Sequence, residues 1–138
     1  RPPRSTLFPY TTLFRSQGTA GADFHPDLIT IRSQLIIRKG FRREIDSYSA
    51  FYENDNETTT GLSGYLRERG VTSLYLTGLA TDFCVRWSAL DGLKEGFEVN
   101  VVKDAVRGID IGGSVEQAWQ EMKEAGAEII TSADVLVS

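Results

Sequence analysis

Short apolar runs alternate with amphipathic stretches along most of this 138-residue chain, and that alternation limits the fold more than any other feature. The runs are Leu35-Ile36-Ile37, Ser73-Leu74-Tyr75-Leu76, Phe97 to Val102 and Ile129-Ile130. Each is too short for a helix and suits a buried strand. Between the first two, Thr58, Thr59 or Thr60 can cap a helix with Leu62, Tyr65 and Leu66 on its apolar face and a stop at Gly70. A second helix is expected over Arg86 to Leu93, with Phe83, Trp87 and Leu90 spaced i, i+4, i+7. A third runs from a cap at Ser114 through Val115, Ala118, Trp119 and Met122 to a stop at Gly126. Strands and helices in this order predict an α/β fold: a parallel sheet with right-handed crossovers and helices on both faces.

Composition narrows the partners. With 41% hydrophobic residues the chain can bury one core and forms at most one domain. A net charge of −4 without a long basic run argues against nucleic acid. No apolar stretch is long enough to span a bilayer, and no signal-peptide pattern is present. The single cysteine cannot form an internal disulfide and suits a reducing compartment. These features predict a cytoplasmic protein that binds neither nucleic acid nor membrane.

Residues 1–16 stand apart. They hold three of the four prolines and three arginines, with no acid. The run from Thr6 to Ser16 resembles the translation of a common sequencing-library adapter, so residues 1–16 are read as an artefactual segment. Residues 17–138 are then expected to be a truncated domain whose natural sequence begins near Gln17.

The chemistry-bearing residues cluster around Thr77-Gly78-Leu79-Ala80-Thr81-Asp82-Phe83-Cys84-Val85, which joins a strand to a helix. A thiol near a helix N-terminus is more easily ionised, because unpaired N–H groups and the peptide dipoles favour negative charge. The alternative for Cys84 is a small buried apolar residue. Lys39 follows the first apolar run and Asp104 the third, so all three are expected at one rim of the sheet, where α/β folds bind ligands. Lys39 could equally be a solvated surface lysine. His25 has no second His or Cys at a ligand spacing and reads as part of a surface loop. Asp46 to Phe51 is too short and polar for a core element, and Asn54-Asp55-Asn56 marks a turn. Gly108 to Gly113 lacks the order of a phosphate-binding loop and reads as a loop and cap.

Four stretches in order carry a family resemblance: Lys39-Gly40, Asp46-Ser47-Tyr48-Ser49-Ala50-Phe51, Gly78 to Val85, and Asp104-Ala105-Val106-Arg107-Gly108. From about Gln17 to Leu136 the chain resembles the nicotinamidase branch of the isochorismatase-like cysteine hydrolases. The resemblance implies their three-layer α/β/α fold. It also implies hydrolysis of nicotinamide to nicotinate and ammonia through a cysteine thioester, a step of NAD salvage. Carried over by position, Cys84 is the nucleophile and Lys39 the triad lysine, while Ala80 and Cys84 supply the oxyanion-hole N–H groups. Tyr48 and Phe83 border the substrate ring, and Leu79–Ala80 is a cis peptide. The family's triad aspartate, and the ligands of its divalent metal (zinc or similar), would precede Gln17, so this chain is expected to lack them and to be an inactive fragment. Asp82 is expected to serve the hydrogen bonding of the elbow and Asp104 a strand end, neither replacing the missing acid. The implied partner is a small-molecule amide, with a homo-oligomer as a further possibility. Two alternatives stand beside this: a related hydrolase of another small amide, and a non-catalytic α/β binding domain with Cys84 in its core.

Overall fold

The computed structural model describes residues 18–40, 42 and 44–135. The segment 1–16, read above as artefactual, lies outside the described residues. Helix α1 spans Leu62–Glu68 and strand β1 Ser73–Leu79. A π-helical turn over Thr81–Val85 runs directly into α2, Arg86–Lys94. Then follow β2 (Glu98–Arg107), α3 (Ser114–Glu124), β3 (Glu128–Ile130) and the short α4 (Ser132–Val135). The strands form a parallel sheet in the order β1-β2-β3.

Alternation predicted this sheet, and the hydrophobic core explains why it holds. Val99 and Val101 of β2 stand opposite Leu74 and Leu76 of β1. They are buried with Phe51, Val85, Ala89, Phe97, Val106, Ala118 and Met122 in one cluster. The β1–β2 register shifts between Leu76 and Gly78, which pairs with Val106. The extra β2 residues bulge out, leaving Lys103, Asp104 and Ala105 exposed.

Helix-to-strand connections follow the glycine stops. Gly96 (φ 87°) and Gly126 (φ 104°) adopt the left-handed conformation. The next residue then donates back into the helix, Phe97 to the Gly92 carbonyl and Ala127 to that of Met122. At the start of α1 the cap position is held by Gly61 (φ 87°) and not by any of the three threonines expected there; the Thr60 hydroxyl, one residue earlier, accepts the Leu62 N–H at 3.3 Å.

Four further expectations need correction. Leu35-Ile36-Ile37 is not a strand: it belongs to no ladder, and Leu35 and Ile36 are exposed. An apolar run becomes a strand only where a neighbour satisfies its backbone. The buried residues of α2 are Ser88, Ala89, Asp91 and Gly92, while Trp87 and Leu90 are half-buried. Small residues stand where the helix lies hard against the sheet; a Cβ on Gly92 would sit 3.1 Å from Val99. Ser114 is the first residue of α3 rather than its cap, and the Val115 N–H is met by the Asp110 carboxylate at 3.3 Å. Finally, the polar Asp46–Phe51 stretch belongs to the interior, with Ser47, Tyr48, Ser49 and Phe51 all buried. Its backbone is satisfied by side chains instead of a ladder: Asn54 Oδ1 accepts the Tyr48 N–H, and Ser49 Oγ the Phe51 N–H.

Candidate active site

Strand β1 ends at Leu79, and the Leu79–Ala80 peptide bond is cis. The Ala80 carbonyl then accepts two N–H groups, from Phe83 at 3.1 Å and Val85 at 3.0 Å, so the chain turns at once into the π-helical elbow. This places the partly exposed Cys84 just ahead of α2, above the C-terminal end of β1.

Asp82 secures the elbow from beneath. Its carboxylate is buried and accepts the N–H groups of Ile109 (3.1 Å) and Asp110 (2.9 Å) and the Ser114 hydroxyl (2.6 Å). Burial pushes its pKa up, but Ser114 and the two N–H donors outweigh that and hold the carboxyl below its ordinary value. The predicted elbow role of Asp82 is therefore what the geometry displays. The Gly108–Gly113 loop is tied down by the same bonds, and Gly108 is needed for the close approach: a Cβ there would lie 2.1 Å from Val115 Cγ2.

Lys39 arrives from the coil on the other side. Its Nζ donates to the Ser47 carbonyl at 2.8 Å and lies 3.5 Å from Cys84 Sγ. The ammonium thus has one fixed anchor and faces the sulfur. Tyr48, 2% exposed, packs its ring 5.6 Å from that of Phe83. A cleft of about 160 Å³ opens between β1 (Leu76, Thr77, Leu79), the coil (Lys39, Tyr48, Ala50) and the elbow helix (Cys84, Val85, Ser88). Phe83 lies behind Tyr48, buried at 7% exposure.

Not every residue expected at this rim is there. Asp104 gives both carboxylate oxygens to Ser132, one to its N–H (2.8 Å) and one to its hydroxyl (2.5 Å). Those two donors hold its carboxyl below the usual range. It caps the start of α4, a structural role in keeping with the strand-end place expected of it. Among the described residues, no carboxylate pairs with Lys39. Sequence reading passed over Ser88, which lines the cleft together with Cys84.

The structure thus sets a cysteine facing a lysine, at the end of a parallel strand and on a cis-peptide elbow. Residues 12–134 match the Isochorismatase domain family, and the chain belongs to it. Its parallel sheet with packed helices is the three-layer α/β/α fold of that family. The chain is 54% identical over 121 residues to a nicotinamidase of Acinetobacter baylyi, covering 88% of this chain and 56% of the relative. A solved nicotinamidase pyrazinamidase from Acinetobacter baumannii superposes with a TM-score of 0.85 at 58% identity, covering 86% of this chain and 57% of that one. The pyrazinamidase of Pyrococcus horikoshii, solved in complex with zinc, gives a TM-score of 0.71 at 42% identity, covering 83% and 59%. The chain therefore spans a little over half the length of the relatives it matches.

The zinc-bound relative places metal-binding members in this family. Among the described residues here, no group of three or more His, Cys, Asp or Glu side chains is disposed to hold a metal ion. His25 is in a loop, its Nδ1 accepting the Asp27 N–H at 3.3 Å. The residues described do not fit a metal, so no chemical step is routed through one. Among them, no helix is long and apolar enough to cross a membrane.

Proposed function

We propose that this chain carries the nucleophile and oxyanion-binding half of a nicotinamide amidohydrolase. The observation that carries the reading is the Lys39 ammonium held 3.5 Å from Cys84 Sγ. An amide carbonyl is a poor electrophile, so attack on it needs a thiolate, and a cation beside the sulfur favours that form.

In the proposed reaction the Cys84 thiolate adds to the carboxamide carbon of nicotinamide. The oxyanion that develops is received by the N–H groups of Ala80 and Cys84, a contribution typically worth about 2.7–4 kcal/mol of barrier per donor. Collapse breaks the C–N bond and ammonia leaves with a proton, giving a nicotinoyl thioester. Water then hydrolyses the thioester to nicotinate and returns the thiol. Tyr48 walls the cleft beside the pyridine ring, with Phe83 backing it. A group that protonates the leaving ammonia is required by this scheme. Neither Asp82 nor Asp104 is free for that task, since both are committed to the hydrogen bonds described above. The metal of such an enzyme would be divalent, zinc or similar.

A second substrate is favoured by the relatives named as pyrazinamidases. Pyrazinamide differs from nicotinamide by one ring nitrogen and offers the same carboxamide. The test is ammonia release from nicotinamide, pyrazinamide and aliphatic amides by protein expressed from the complete coding sequence, with Cys84→Ala as the control. Release from the aromatic amides that disappears in the variant supports the reading. Release equal to the control contradicts it.

A further inference from the structure

We propose that Ser88 is a positioning residue that keeps the Lys39 ammonium in register with the Cys84 sulfur; the proposal rests on the reading of those two as the reacting pair. Cys84 and Lys39 are held by different parts of the molecule. Cys84 moves with the elbow and α2, which are fixed by the sheet through Ala89 and Gly92 and by the Asp82 bonds. Lys39 is fixed by the Ser47 carbonyl, at the start of a coil that has no strand ladder to hold it.

Ser88 joins the two. One turn beyond Cys84 and only 8% exposed, its hydroxyl accepts the Ala50 N–H at 2.9 Å. Ala50 lies three residues after Ser47, and its own carbonyl accepts the Thr60 hydroxyl at 2.6 Å. The intervening Tyr48 and Ser49 are buried, so a displacement at Ala50 has no slack to absorb it before Ser47. Loss of the Ser88 hydroxyl leaves the Ala50 N–H without its partner in a closely packed region. Such a group recovers a bond by shifting or by admitting water. Either change moves the Ser47 carbonyl and with it the ammonium, which lies 3.5 Å from the sulfur.

The experiment is the rate of Cys84 alkylation by iodoacetamide, measured from pH 6 to pH 9 for the chain and for S88A, S88T and S88V, with circular dichroism to establish folding. Thr and Val have the same shape and differ by one hydroxyl, so that pair decides the matter even where S88A fails to fold. Folded S88A and S88V should react about five to ten times more slowly at neutral pH, with their pH profiles moved upward, while S88T keeps the parent rate and profile. Equal rates and profiles for S88T and S88V would overturn the proposal. Alkylation needs no substrate turnover, so a chain that fails to hydrolyse nicotinamide contradicts the proposed function and leaves this comparison intact.

Discussion

Lys39 Nζ and Cys84 Sγ are 3.5 Å apart although 45 residues separate them in sequence. Helix α1, the whole of β1 and the cis-peptide elbow lie between, and the two side chains meet because β1 and the buried Ser47–Phe51 coil pack on opposite sides of the same cleft. Replacing Lys39 with Met keeps most of the aliphatic stem and removes the charge. K39M should slow alkylation of Cys84 at neutral pH by about tenfold, because the cation that favours a thiolate is gone. An unchanged rate would mean that the ammonium does not act on the sulfur.

Asp82 makes stability depend on acid. Its folded-state carboxyl titrates below its unfolded value of about 3.9. A depressed folded pKa contributes stability that is fully present above the unfolded value and is lost as pH falls through the folded one. Thermal midpoints measured from pH 7 down to pH 2.5 should therefore fall more steeply for the parent than for D82N below about pH 4. Near neutral pH the variant should be less stable by about 2–4 kcal/mol, because an amide cannot accept all three donors as the carboxylate does.

Gly108 sets how closely the loop before α3 approaches the elbow. G108A should cost about 1–3 kcal/mol in urea denaturation, since the added methyl meets Val115 Cγ2 at 2.1 Å. The double variant G108A/V115A should recover part of that loss. Additive losses in the double variant would place the strain elsewhere.

Tyr52, Glu95 and Arg67 form a clamp at the end of α2. The Tyr52 hydroxyl donates to Glu95, and Arg67 pairs with the same carboxylate at 2.7 Å. The Tyr52 bond and the Arg67 charge together hold Glu95 below its ordinary range, and the Glu95 carboxylate raises Tyr52. Y52F should lower stability by about 1–3 kcal/mol at pH 7 in urea denaturation, the range for a hydrogen bond to a charged group. The change should leave Cys84 alkylation as it is, because the clamp lies outside the cleft.

What could be read from sequence followed the strength of local signals. The β1 run, the glycine stops at Gly70 and Gly126 and the elbow each carry a residue pattern that specifies its own backbone, and they appear where expected. The face of α2 was misread because the π-helical turn over Thr81–Val85 adds residues to one turn, so i, i+4, i+7 counted from Phe83 loses register by Trp87. Leu35-Ile36-Ile37 has strand composition but pairs with no strand among the described residues, a condition that sequence does not state. The burial of Ser47, Tyr48 and Ser49 was hidden for the opposite reason: polarity suggests surface, and only the fold supplies Asn54, Ser88 and Lys39 to satisfy that backbone. Cys84 and Lys39 were both visible, whereas Ser88 was not, because its importance depends on the distant Ala50 N–H.

The most direct test of the central claim is acylation of Cys84 by p-nitrophenyl nicotinate. Its leaving group departs as an anion without needing a proton, so the reaction isolates the nucleophile from the acid that expels ammonia. The chain should release p-nitrophenolate in a burst of one equivalent. Mass spectrometry of the quenched protein should find the nicotinoyl group on Cys84, with no burst in C84A and a burst about ten times slower in K39M. Absence of the burst, or a nicotinoyl group located on another residue, would contradict the account.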